Sequence, residues 1–110
     1  MTRVLFLCGK ARMRSPTAAE VARRLWALET DYAGLSNDAD EKLSREQIDW
    51  AEWILVMEPR HRRRLTALFG PALSGRKVSV LDIPDRYGFM DDTLVALLEQ
   101  RLARHFGPVR

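Results

Sequence analysis

The 110-residue chain has one cysteine, Cys8, and two histidines, His61 and His105. A single cysteine excludes an intramolecular disulfide and any cysteine-built zinc cluster. One thiol and no disulfide framework suit a reducing compartment, so a cytoplasmic location is expected. The two histidines lack carboxylates at ligand spacing, so no metal and no cofactor is expected. Both are expected on helix surfaces. Glycine (6) and proline (5) are too few for linkers or low-complexity tracts, and the length suits one domain over residues 1–110. Aromatic residues make up 8% of the chain, and Trp26, Trp50 and Trp53 are expected to pack in the core. No apolar run approaches the roughly 20 residues of a membrane helix. The opening run Val4–Cys8 is too short for a signal-peptide core and leads straight into Lys10, Arg12 and Arg14, so secretion and membrane association are not expected. Charge of one sign is also lacking. Lys and Arg number 18 against 15 Asp and Glu, interspersed, for a net +3. That balance is weak support for an anionic partner and none for a specific one, and nucleic acid is not expected.

What is present is an alternation of short apolar runs and amphipathic segments. Arg3–Leu7, Asp31–Leu35, Trp53–Met57 and Lys77–Leu81 read as strands. Between and after them lie helical patterns. The first starts at Ser15-Pro16, with serine as cap and proline at the first helical position, and ends near Leu28. A second, short one starts at a Ser44–Gln47 capping box with Leu43 as staple. A third runs from Pro59 through Leu65, Leu68 and Phe69 to Gly70-Pro71. The last spans Thr93–Phe106, with Leu94, Leu97, Leu98 and Leu102 on one face, and Asp91 and Asp92 serve as its caps. Strand–helix alternation predicts an α/β fold, a four-stranded parallel sheet in three layers with helices on both faces. Ligands bind such sheets beyond the carboxyl ends of the strands, which directs attention to the loops after the first and last strands.

Cys8 ends the first strand, and Arg14 follows six residues later. The intervening Gly9, Lys10, Ala11, Arg12 and Met13 must turn the chain from strand into helix. Such a loop can gather backbone N–H groups into an anion-binding nest at a helix N-terminus. Arg14 adds a planar fork for two phosphate oxygens. The same positive field favours a nucleophilic thiolate at Cys8, and Ser15 can donate a hydrogen bond to the sulfur. The spacing alone is weak, because arginine is abundant here; the strand–loop–helix setting and Ser15-Pro16 give it weight.

The run Cys8-Gly9-Lys10-Ala11-Arg12-Met13-Arg14-Ser15-Pro16-Thr17 resembles the C-x5-R-[ST]-P loop of the low-molecular-weight protein tyrosine phosphatase superfamily. Asp82-Ile83-Pro84-Asp85-Arg86-Tyr87 resembles that family's general-acid segment, and Trp53–Glu58 its third strand with the acidic residue after it. The resemblance spans nearly the whole chain and is strongest to a compact branch of about this length. It implies the phosphotyrosine protein phosphatase I-like fold and a metal-free, two-step hydrolysis of a phosphorylated substrate, with phosphotyrosine as the expected one. In that mechanism the Cys8 thiolate forms a phosphocysteine, and Arg14 and the amides of residues 9–13 and 15 hold the phosphate or another oxyanion. Asp85 acts as acid and then as base. Asp82 is the alternative acid, with a strand-end turn as its other role. Tyr87 is expected to wall the substrate pocket. Glu58 either orients Arg14 or caps the helix at Pro59.

The chain departs from the family in two places. Ala11 stands where an asparagine usually braces the loop, and alanine neither makes those hydrogen bonds nor favours positive φ. The stretch 31–42 is short and carries no aromatic beyond Tyr32, so one pocket wall is expected to be reduced. The alternatives are a phosphate-binding module without turnover, an arsenate reductase, disfavoured because Cys8 has no second thiol to resolve it, and a basic nucleic-acid-binding domain carried by Arg60–Arg64. The bland reading of that basic run is the solvated face of a helix.

Overall fold

A computed structural model describes residues 2–109. Four strands, β1 (Arg3–Cys8), β2 (Glu29–Gly34), β3 (Trp53–Val56) and β4 (Lys77–Val80), form one sheet in the order β2-β1-β3-β4. All three pairings are parallel, with Cys8 opposite Gly34 and Leu7 opposite Val56. The helices are α1 (Arg14–Trp26), α2 (Arg45–Trp50), α3 (Pro59–Phe69) and α4 (Asp92–Phe106), with a 3-10 turn at Gly70–Leu73.

The period-two alternation of β1 decides the two cores. Val4, Phe6 and Cys8 face α1 and α4, meeting Ala18, Val21, Ala22, Leu94, Leu98 and Leu102. Leu5 and Leu7 face the other way, toward Ile48 of α2, Leu65 of α3 and Ala72. The expected parallel sheet with helices on both faces is therefore the observed one. Because β1 leads outward to β2 on one side while β3 lies on its other side, the strand order reverses between β1 and β3, and loops diverging there open a crevice. Cys8 and Glu58 stand at that crevice, at the ends of these two strands.

Local signals explain most boundaries. Ser44 caps α2 through the expected box: the Gln47 N–H donates to Ser44 Oγ, and the Ser44 N–H donates to Gln47 Oε1. Asp91 caps α4 by accepting from the N–H groups of Thr93 and Leu94, while Asp92 lies inside the first turn. Two expectations need correction. Ser15 is not the cap of α1: the helix already begins at Arg14, with Met13 as the cap residue, and Ser15 is fully buried. The loop closes one residue sooner so that the serine hydroxyl can meet the Cys8 sulfur. Nor are the histidines surface residues. His61 is buried against Glu58, and His105 is half-buried, edge-on to Trp53. Trp26 is buried, its indole N–H donating to the Gly107 carbonyl, while Trp50 and Trp53 are half-buried against the two cores. Among the described residues, no helix is long and apolar enough to cross a membrane.

Candidate active site

The turn after β1 is held from behind by the 34–43 segment. Backbone N–H groups of Leu35, Ser36 and Asp40 donate to the carbonyls of Cys8 (3.0 Å), Gly9 (2.9 Å) and Lys10 (2.9 Å). Lys10 pairs with Asp38 at 2.7 Å and Arg12 with Asp40 at 3.1 Å. With three carbonyls turned back to this segment, the loop's N–H groups are left to its front. Among the described residues, the N–H groups of Gly9, Lys10, Arg12 and Met13 have no protein acceptor. The stretch expected to be a reduced wall is thus the loop's scaffold, and its Ser36 lines the cavity. Such close packing depends on Gly34. A Cβ there would lie 2.6 Å from the Gly9 carbonyl oxygen, 2.6 Å from Ala39 Cβ and 3.0 Å from the Lys10 carbonyl carbon.

Ala11 takes up the left-handed backbone that the loop requires, at φ 60°, and is buried. Left-handed backbone costs a residue bearing a Cβ roughly 1–2 kcal/mol. The conformation sends the Ala11 N–H to Cys8 Sγ at 3.2 Å. Ser15 Oγ lies 3.0 Å from the same sulfur. The thiol, 3% exposed, therefore sits between two polar groups suited to a sulfur anion.

Arg14 is buried, and its fork is fixed by Nη1 donating to Glu58 Oε2 at 2.6 Å and to the Ile83 carbonyl at 2.8 Å. Its Nη2 lies 3.7 Å from Asp85 Oδ2. Glu58 also accepts from Arg60 at 3.0 Å. Hydrogen bonds from Arg60 and Arg14 hold the Glu58 carboxyl down at about 2 against the desolvation that opposes them. Glu58 both orients Arg14 and is the cap residue of α3, where its N–H donates to His61 Nδ1 at 3.1 Å. Burial, with the Arg14 charge adding to it, lowers His61 to about 4 and keeps the imidazole neutral.

One cavity of about 280 Å³ collects Cys8, Gly9, Lys10, Arg12, Met13, Arg14 and Asp85, together with Ser36 and Arg60. Ala11 and Ser15 are buried against the back of the loop. Asp85 is exposed at the mouth, whereas Asp82 lies two residues beyond β4 at φ 61° with its carbonyl held by Arg101 at 2.7 Å. Tyr87 does not line the cavity; it packs half-buried against the α1/α4 core. Arg60 and Gly34 carry no motif of their own in the sequence. The one signal for Gly34 is a glycine closing a strand, which marks close backbone approach. Among the described residues, no group of three or more His, Cys, Asp or Glu side chains is placed to hold a metal ion.

No family model matches the sequence, and no curated protein matches it. Solved structures do. The YwlE arginine phosphatase from Geobacillus stearothermophilus is 26% identical at a TM-score of 0.72, over 96% of this chain and 92% of that one. The tyrosine phosphatase Wzb from Escherichia coli K30, in complex with phosphate, is 23% identical at 0.75, over 94% of each chain. SP-PTP, a low molecular weight protein tyrosine phosphatase from Streptococcus pyogenes, is 13% identical at 0.78, over 96% of this chain and 91% of that one. These neighbours are phosphatases, of tyrosine and of arginine, and the sequence resemblance and the shared architecture agree: the chain has the fold of the low-molecular-weight protein tyrosine phosphatases.

Proposed function

We propose that this chain is a cysteine-dependent phosphatase that hydrolyses phosphate monoesters, with protein phosphotyrosine as its substrate class. The observation that carries the reading is the convergence of Cys8, Arg14 and Asp85 on one cavity at the switch point of the sheet. The Cys8 thiolate attacks phosphorus, forming an S–P bond as the P–O bond to the leaving group breaks. Asp85 gives its proton to the departing oxygen. Water then attacks phosphorus and gives a proton to Asp85, the S–P bond breaks, and the thiolate and inorganic phosphate are released. Arg14 and the loop N–H groups stabilise the equatorial oxygens throughout. Glu58 keeps the Arg14 fork oriented, and the Ser15 hydroxyl supports the sulfur anion as it leaves. No step calls for a metal or a cofactor.

The test is hydrolysis of p-nitrophenyl phosphate from mildly acidic to neutral pH under reducing conditions. Cys8→Ser abolishes turnover. Asp85→Asn lowers it roughly 10²–10⁴-fold, the usual share of a positioned acid–base group. An equal loss in Asp82→Asn with Asp85→Asn unaffected assigns the acid to Asp82. Peptides bearing phosphotyrosine or phosphoarginine then decide the substrate class, since the structural neighbours include phosphatases of both kinds. The second reading is a phosphate-binding module, and Ala11 in the left-handed position is the observation that favours it. It requires vanadate or phosphate binding without turnover in the folded wild-type chain.

A further inference from the structure

The cavity at Cys8 does not end at the phosphate loop. Through Gly9, Ser36 and Arg60 it continues into a second, larger cavity of about 490 Å³ between the 34–43 segment and α3. This second space is faced by Arg60 and Arg64, which lie one turn apart on the same side of α3. Arg64 makes no ion pair among the described residues, and Arg60 makes one, with Glu58. The acidic side chain here, Asp38, is already paired with Lys10. His61 also lines the space, and its Nε2 is a buried polar atom with no hydrogen-bond partner among the described residues. Beyond Leu35 and Asn37 a third space follows, about 210 Å³, walled by Leu43, Leu68 and Phe69 with Lys42 beside them. Leu68 is 48% exposed although it sits on a helix whose other leucine, Leu65, is fully buried. Phosphate site, cationic site and apolar site therefore run in one line along the edge of α3.

Resting on the phosphatase reading above, we propose that this groove is the substrate-recognition cleft. It accepts an extended phosphorylated polypeptide segment with an acidic residue held by Arg64 and Arg60 and an apolar residue held at Leu68. The chemistry that favours a peptide is the order of the sites. A small phosphate ester fills only the first, and the far end, where among the described residues Lys42 is the one cation beside Leu43, Leu68 and Phe69, suits an apolar side chain better than a sugar–phosphate backbone. Cation pairing in the middle site is solvent-exposed, so its share is modest and selective in effect. The arginine-rich run thus divides by face. Arg60 and Arg64 look into the groove, while Arg62 and Arg63 look to solvent.

The experiment measures binding and turnover separately. Fluorescent phosphotyrosine peptides, with two flanking glutamates or the matching glutamines and with or without a leucine beyond them, are titrated onto full-length Cys8→Ser protein. Turnover of p-nitrophenyl phosphate by the wild type is measured alongside. The expected result is a preference of roughly three- to tenfold for the glutamate peptide, from two partly screened charge pairs. That preference collapses in Arg64→Ala and in high salt, and survives in Arg104→Ala on α4. The leucine preference is lost in Leu68→Ser and kept in Arg64→Ala. Equal affinity for glutamate and glutamine peptides, or a preference unchanged by Arg64→Ala, overturns the proposal. So does equally tight binding of an unphosphorylated glutamate peptide, since the groove then works apart from the phosphate site. Absence of p-nitrophenyl phosphate turnover with the peptide preferences intact refutes the catalytic reading and leaves the groove standing.

Discussion

Replacing Gly34 with alanine tests whether the phosphate loop is held by backbone contact with the 34–43 segment. The added Cβ would lie 2.6 Å from Ala39 Cβ and 2.6 Å from the Gly9 carbonyl oxygen. Carbon contacts become favourable only near 3.5–4.0 Å, so one side must yield by about 1 Å. Neither neighbour is the far end of a flexible side chain; one is the loop backbone and the other a methyl group fixed to its own backbone. The hydrogen bonds from Leu35, Ser36 and Asp40 to the Cys8, Gly9 and Lys10 carbonyls cross this gap at 2.9–3.0 Å and lengthen with it. Overpacking of this kind costs typically 1–3 kcal/mol. In a domain of this size each kcal/mol lowers Tm by roughly 4–8 °C. Catalysis suffers more, because a 1 Å misplacement of positioned groups can cost about 10²-fold. The expected result is a folded Gly34→Ala protein whose Tm is lower by roughly 5–20 °C, with p-nitrophenyl phosphate turnover down about 10²-fold and weaker vanadate binding. The assays are thermal unfolding by circular dichroism and steady-state kinetics on the same preparation. Gly34→Ala protein with wild-type Tm and turnover refutes the view that this contact sets the loop.

Three further outcomes follow from the same geometry. Glu58→Gln leaves the buried Arg14 guanidinium against a neutral partner; a charge-assisted bond of this kind contributes about 1.5–3 kcal/mol, so urea unfolding should show a loss of that order, with turnover reduced at least tenfold. His61, lowered to about 4 from an ordinary 6.5, is neutral in the fold and protonated in the unfolded chain between those values. Its share of stability is complete above pH 6.5, falls as pH drops toward 4 and amounts to about 3 kcal/mol, so the slope of stability against pH in that window should flatten in His61→Gln. Glu58, held at about 2, extends the loss from pH 4.5 downward. Ala11→Gly relieves the left-handed strain at φ 60°; offset by the entropy of the unfolded glycine, it should change stability by less than about 1 kcal/mol and keep turnover, and a loss above 3 kcal/mol in thermal unfolding contradicts the strain argument.

The sequence by itself determined the parallel sheet and its four helices. Continuous apolar runs such as Val4–Leu7 can be satisfied only by burial on both faces, and period 3.6 in the segments between them leaves helices to do the covering. It also pointed to Cys8 and Arg14, because a strand-to-helix turn with fixed spacing is a local device, whereas Asp85, from the segment after β4, was legible only through the resemblance; the fold brings all three to one cavity. Only the tertiary structure decided what holds that device in shape. The brace comes from 34–43, and the pairings Lys10–Asp38 and Arg12–Asp40 join residues 28 apart, which no period or motif connects. The burial of His61 is of the same kind. Its position in a run of arginines reads as solvent-exposed, yet Glu58 at the end of β3 turns that first helical turn inward, onto Arg14 and Gly9. Tyr87 shows the reverse. Its place two residues after Asp85 suggests a pocket wall, and the ring instead packs half-buried against the α1/α4 core. Spacing along the chain fixes which groups one loop presents, while the direction each group faces is settled by long-range contacts that close only when the sheet assembles.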